Sequence, residues 1–255
     1  MNKVLNRVPE ITLIFWIIKI LSTTVGETGA DFLATTLNLG LSATSSIMGA
    51  LLVIALFNQF RLKRYVAASY WVVVVLTSIV GTLITDNLVD KLGVSLVTTT
   101  LIFSMALIVI FGAWYASEKT LAMKSIDTGR RELFYWAAIL FTFALGTSAG
   151  DLVAEHYELG YGLSLVLFGA LIGVIALAYY AFKLNGVLAF WLAFILTRPL
   201  GASAGDLLSQ AKDDGGLGLG TVETSLTFLI LIVALAIYLG FAQKKQTFMP
   251  EGAQL

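Results

Sequence analysis

Apolar residues run in eight blocks along the chain, near 10–31, 42–60, 66–87, 94–116, 133–153, 162–182, 187–207 and 221–242. Each block has about the 20 residues that an α-helix needs to cross a bilayer's hydrocarbon core. A backbone in lipid must satisfy its own hydrogen bonds, so such runs are helices. Of the three prolines, only Pro199 falls inside a block. The pattern predicts an all-α integral membrane protein with eight transmembrane helices. Composition agrees: 58% of residues are hydrophobic and 13% charged, against roughly 25% charged in soluble domains. The mean hydropathy is +0.89.

The odd-numbered blocks repeat. Trp16, Trp71, Trp136 and Trp191 are each followed 15 residues later by an aspartate: Asp31, Asp86, Asp151 and Asp206. A glycine stands five residues before each aspartate, at Gly26, Gly81, Gly146 and Gly201. The chain therefore divides into four two-helix units, about 8–64, 65–125, 130–184 and 185–245, within one transmembrane domain spanning 1–255. An even number of crossings per unit makes the units parallel. A two-helix unit cannot bury its faces alone, so four are expected to pack together around a pseudo-fourfold axis. The tail 246–255, QTFMPEGAQL, reads as disordered, and the connection 208–220 as mobile.

Charge sets the expected orientation. Of the 16 basic residues, 12 fall in one set of connections, while the opposite set carries only Lys91 and Lys212 and many acids. Cytoplasmic loops hold the Lys/Arg excess, so both termini are expected in the cytoplasm. The first block, from Ile11, spans fully and lacks an A-x-A-like cleavage site, so it reads as a retained helix. The four tryptophans are then expected at the cytoplasmic interface, half apolar and half wet. With no cysteine, disulfides and thiolate metal sites are excluded.

Fifteen helical residues put each aspartate roughly 22 Å beyond its tryptophan, in the outer part of the membrane. Parallel units would bring these four carboxylates to one depth, and a carboxylate ring attracts cations. Helix-end carboxylates in the headgroup region are the plainer alternative. The repeated glycines pair with small residues four positions later, a spacing that lets helices approach closely. Glu27 is peculiar to the first unit; its counterparts are Thr82, Thr147 and Ala202. Ionisable residues at membrane depth are functional candidates by default. Arg198 replaces Thr23, Ser78 and Phe143 of the other units and precedes Pro199. It is expected to be a buried counter-ion, with Glu27 as its partner. Lys19 is expected to snorkel to the cytoplasmic surface, and His156 to be a solvated loop residue.

The four Trp positions and the stretches GETGAD, GTSAGD and GASAGD resemble a bacterial inner-membrane family of uncharacterised function. That family is built from four tandem repeats, each with two transmembrane segments and a characteristic tryptophan. GETGAD is also loosely similar to the E-x-G-D motif of manganese/calcium cation exchangers, with Ala30 intervening before Asp31.

The resulting expectation is a small-cation transporter or exporter. Glu27, Asp31, Asp86, Asp151 and Asp206 are its metal ligands and Arg198 is the coupling counter-ion. Hard oxygen ligands favour Mn²⁺, Ca²⁺ or Mg²⁺. The partners are the lipid bilayer, the cation and protons, with no nucleic acid. No resident cofactor and no enzymatic activity are expected, since no nucleophile–base pair or phosphate loop is present. The alternative is a non-transporting scaffold whose glycines and aspartates only pack helices.

Overall fold

In the computed structural model, residues 6–248 are described, with side-chain surroundings up to residue 242. Lys3, the chain ends and tail residues 249–255 lie outside them. The helices are α1 (Leu13–Asp31), α2 (Gly40–Arg61), α3 (Ala67–Asp86), α4 (Leu96–Glu118), α5 (Gly129–Asp151), α6 (Tyr161–Phe182), α7 (Gly186–Ser209) and α8 (Thr221–Phe248). All eight are long and apolar enough to cross a membrane; this is a multi-pass membrane protein. Residues 246–248 of the expected disordered tail continue α8. Side-chain caps begin several helices: Thr12, Ser95, Thr128 and Asn185 each accept from a backbone N–H of the first turn.

The odd helices form a closed ring. α1 packs against α3 and α7, and α5 completes the circuit between α3 and α7. Each even helix lies outside, chiefly on the inner helix of the following repeat: α2 on α3, α4 on α5, α6 on α7, and α8 back on α1. This cyclic overlap gives the outward face of each inner helix a cover that its own repeat does not supply.

The glycines set the spacing of the ring. A Cβ on Gly26 would overlap Ser78, one on Gly81 Phe143, one on Gly146 Arg198, and one on Gly201 Thr23. Each glycine thus receives the side chain seven residues past the tryptophan of the next inner helix. Close approach through small residues is how helices gain packing in lipid, where no hydrophobic force drives them together.

The tryptophans depart from expectation. Trp71, Trp136 and Trp191 are buried, and only Trp16 is half-buried. The reason lies one residue earlier, where every repeat has a second aromatic: Phe15, Tyr70, Tyr135 and Phe190. Each meets the tryptophan of the next repeat, with ring centroids 5.8 Å apart for Phe15–Trp71, 5.4 Å for Tyr70–Trp136, 6.2 Å for Tyr135–Trp191 and 5.6 Å for Phe190–Trp16. Eight rings close the centre at this level. Below them Asn6 and Arg7 cross the same end: Arg7 N–H donates to Ile126 O, and Asn6 O accepts from Tyr65 N–H. Arg7 Nη1 pairs with fully buried Glu132 at 2.7 Å.

Two features mark the acidic end. The 208–220 connection folds back on the end of α7, with Leu217 N–H on Leu207 O and Leu219 N–H on Leu208 O. The first three inner helices each run on from their aspartate into a π-helical segment, Phe32–Thr36, Asn87–Lys91 and Leu152–His156. α7 instead continues as α-helix to Ser209.

Candidate functional site

Arg198 stands at the centre of the ring. It is completely buried, and its guanidinium reaches three of the four inner helices from the fourth. Nη2 shares its two N–H bonds among Glu27 Oε2 at 2.8 Å, Thr147 Oγ1 at 2.8 Å and Thr82 Oγ1. Nη1 donates to Thr23 O at 3.1 Å. Glu27, Thr82 and Thr147 are equivalent positions of three repeats. One guanidinium can touch all three because it lies at the pseudo-fourfold axis, and the fourth equivalent, Ala202, is too small to occupy that space. The Glu27 partnership expected from sequence is therefore present, and two threonines are added to it.

Immediately toward the acidic end, three carboxylates converge. Oxygens of Glu27, Asp151 and Asp206 all lie within 4.8 Å of one another. Glu27 and Asp206 are buried, Asp151 half-buried. They come from α1, α5 and α7, so the ring and no single helix assembles them. Asp31 and Asp86 stand outside this trio, half-buried at the ends of α1 and α3; Asp31 Oδ2 accepts from Gln210 Nε2 at 3.5 Å. Glu27 and Asp31 were expected to act together; they lie one turn apart on α1, and Asp31 is not among the carboxylates that converge. Glu27 instead meets carboxylates from other helices of the ring. His156 was expected to be a solvated loop residue; it is exposed beside the Tyr157 ring but ends the third π-helical segment.

Toward the basic end the centre is filled. Lys19 does not snorkel: it is 1% exposed. Its Nζ donates to Thr197 Oγ1 at 2.7 Å and to Phe194 O at 3.2 Å. Helical phase decides this, since Lys19 lies two turns before Glu27 on the face that α1 turns into the ring. Phe143 and Phe194 stack beside it, centroids 6.2 Å apart, and the aromatic layer follows. Thr23 and Thr24, one turn beyond Lys19 on the same helix, are buried as well. Thr23 Oγ1 donates to Ile20 O and Thr197 O, which spends its hydroxyl on backbone.

Reading single residues missed the aromatic partner of each tryptophan and the inward lysine. The first had a signal: an aromatic immediately before all four tryptophans. The second had one too, in that a lysine four residues before Thr23 and eight before Glu27 shares their helix face.

The repeat that organises this site also identifies the chain. A family model described as Repeat of Unknown Function (DUF347) matches residues 14–65, 69–120, 134–185 and 189–245. The chain belongs to this repeat family. The four matches coincide with the four two-helix units, so the DUF347 repeat corresponds to one inner helix and the outer helix that covers its successor. No curated protein matches the chain. No solved structure matches it either.

Proposed function

We propose that this DUF347 protein is a transporter or exporter of a small, hard divalent cation, Mn²⁺ foremost, working at the Glu27–Asp151–Asp206 cluster. The observation that carries this reading is the convergence of three carboxylates, from three different helices, on the axis of a membrane-embedded ring. Structural acids at helix ends have no need to converge, because like charges at this distance repel. The four inner helices are parallel, and each macrodipole adds roughly half a negative charge at the same end. A divalent cation relieves both repulsions. Oxygen-only ligation suits Mn²⁺, Ca²⁺ or Mg²⁺.

Arg198 supplies the second half of the reading. Its charge faces Glu27 when no cation is bound, so the buried carboxylate is never left without a partner. Cation binding competes for Glu27, and the guanidinium keeps Thr82, Thr147 and Thr23 O as its remaining acceptors. Asp31 and Asp86, at the same end, serve as an outer ring that draws cations in. In this reading the acidic end faces out of the bacterial inner membrane, and both termini face the cytoplasm.

One observation favours a non-transporting scaffold instead: from Arg198 to the aromatic layer the centre is packed with side chains. A carrier closed on that side has the same appearance, so flux decides between the two. Purified protein reconstituted in liposomes is expected to move Mn²⁺ in a Glu27-dependent way, and a strain lacking the gene to change its Mn²⁺ content. Wild-type liposomes no more permeable to Mn²⁺, Ca²⁺ or Mg²⁺ than empty ones would leave the scaffold.

A further inference from the structure

Lys91 ends the second π-helical segment and is exposed. It takes part in none of the ion pairs among the described residues, although Asp90 precedes it. Its Nζ instead donates to Ser42 Oγ in the first turn of α2. One turn deeper the same two segments are joined again. Asn87 Nδ2 donates to Ser45 Oγ at 2.8 Å and to Leu83 O at 2.6 Å. Two polar rungs thus tie α2 to the end of α3, and the other units do not keep them. The counterparts of Asn87 are Phe32, Leu152 and Leu207, and those of Ser42 in α4 and α6 are Val97 and Gly162.

The inner rung heads an open groove of about 340 Å³, lined by Ser45, Val80, Leu83, Ile84, Asn87 and Leu88. Val80 and Ile84 sit two residues either side of Thr82, about 200° around the helix from it. Thr82 meets Arg198 at the axis, so the groove opens on the outward side of the ring, into lipid. Lys91 ends the apolar span that begins at Ala67, which sets the rungs at headgroup depth.

Polar donors above an apolar groove match an amphipathic ligand whose head accepts hydrogen bonds. An ammonium has three N–H bonds and Ser42 takes one, so Lys91 keeps two for a phosphate. Ser42 also keeps its own hydroxyl proton to donate. The surrounding charge selects the head. Asp31, Asp86, Asp90, Glu155 and Glu158 stand at this end against Lys91 and Lys212, and they repel a head of net negative charge. A zwitterionic head escapes that repulsion, and a primary ammonium can donate to a carboxylate such as exposed Asp90.

We propose that this groove binds a phosphatidylethanolamine from the leaflet at the acidic end. The phosphate accepts from Lys91 and Ser42, the ammonium turns toward Asp90, and an acyl chain lies along Val80, Ile84 and Leu88. The lipid then fastens the outer helix of the first repeat to the inner helix of the second. None of this depends on what the carboxylate cluster carries.

The test titrates full-length protein in mild detergent with dioleoyl phosphatidylethanolamine, phosphatidylcholine or phosphatidylglycerol, and native mass spectrometry counts the lipids retained. Wild type is expected to hold one phosphatidylethanolamine more tightly than either of the others; phosphatidylcholine has the same phosphate but no ammonium N–H. Lys91→Met loses a charge-assisted bond and is expected to bind roughly tenfold more weakly. Lys212→Met, at the same end but outside the groove, is expected to keep wild-type retention. Ile84→Trp, which fills the groove and leaves the rungs intact, is expected to lose the lipid. Equal retention of all three lipids by wild type is ordinary annular contact and overturns the proposal, as does tightest binding of phosphatidylglycerol. Wild-type retention by Lys91→Met or by Ile84→Trp overturns it too. If one of these variants does not fold, the other decides alone.

Discussion

Gly146 on α5 faces the β- and γ-carbons of Arg198 on α7 so closely that a side chain at 146 has no room. The same contact recurs between Gly201 and Thr23, where the last repeat meets the first and the ring closes. One packing rule therefore both shuts the ring and aims the central guanidinium.

Glycine substitutions should separate these contacts from ordinary helix effects. Overpacking typically costs about 1–3 kcal/mol, so Gly146→Ala and Gly201→Ala should lower the melting temperature in detergent, and the leucine variants should lower it further. Gly112 has no atom near its absent side chain. Gly112→Ala should be neutral or stabilise by up to about 1 kcal/mol, through helix propensity alone. Equal melting temperatures for Gly112→Ala and Gly146→Ala would remove the packing rule.

Charge removal at the axis distinguishes lock from ligand. Glu27→Gln or Arg198→Gln alone should destabilise by roughly 3–5 kcal/mol, because each leaves a buried charge without its partner. The double variant should recover much of that loss in thermal melts. It should still fail to bind Mn²⁺, since an amide brings oxygen without charge, whereas Glu27→Asp should retain part of the binding. Wild-type Mn²⁺ binding by Glu27→Gln would eliminate Glu27 as a ligand.

The buried tyrosine pair offers a cycle with a built-in reference. The hydroxyls of Tyr70 and Tyr135 bond to each other, while the equivalent positions in the outer two repeats are Phe15 and Phe190. Tyr70→Phe or Tyr135→Phe strands one buried hydroxyl, at a cost of about 1–3 kcal/mol. Changing both should return stability close to wild type. A double variant whose loss equals the sum of the single losses would show that the hydroxyls act independently.

Orientation can be read with thiol chemistry because the chain has no cysteine of its own. Ala211, at the acidic end, and Lys63, at the basic end, are both exposed. Ala211→Cys should react with a membrane-impermeant maleimide on intact spheroplasts, and Lys63→Cys only after permeabilisation. The reverse pattern would invert the topology.

Sequence alone determined the number of spans, the four-unit repeat and its parallel sense, because each follows from chain-local rules: run length, spacing and an even number of crossings. It also singled out Glu27 and Arg198, since each breaks a pattern that the other units keep. Depth along a helix was legible as well, at a fixed rise per residue. What only the tertiary structure decided is which side chains face one another across the axis. Trp71, Trp136 and Trp191 look like interface anchors one at a time, yet each is buried by the aromatic residue of the preceding repeat. Lys19 looks able to reach water, yet its helical phase turns it into the ring. Asp31 looks like the nearest partner of Glu27, yet Asp151 and Asp206 reach it from other helices. In each case a contact depends on helix rotation and on cyclic closure between repeats, and these are fixed by glycine-to-side-chain packing between residues about 50 positions or more apart in the chain.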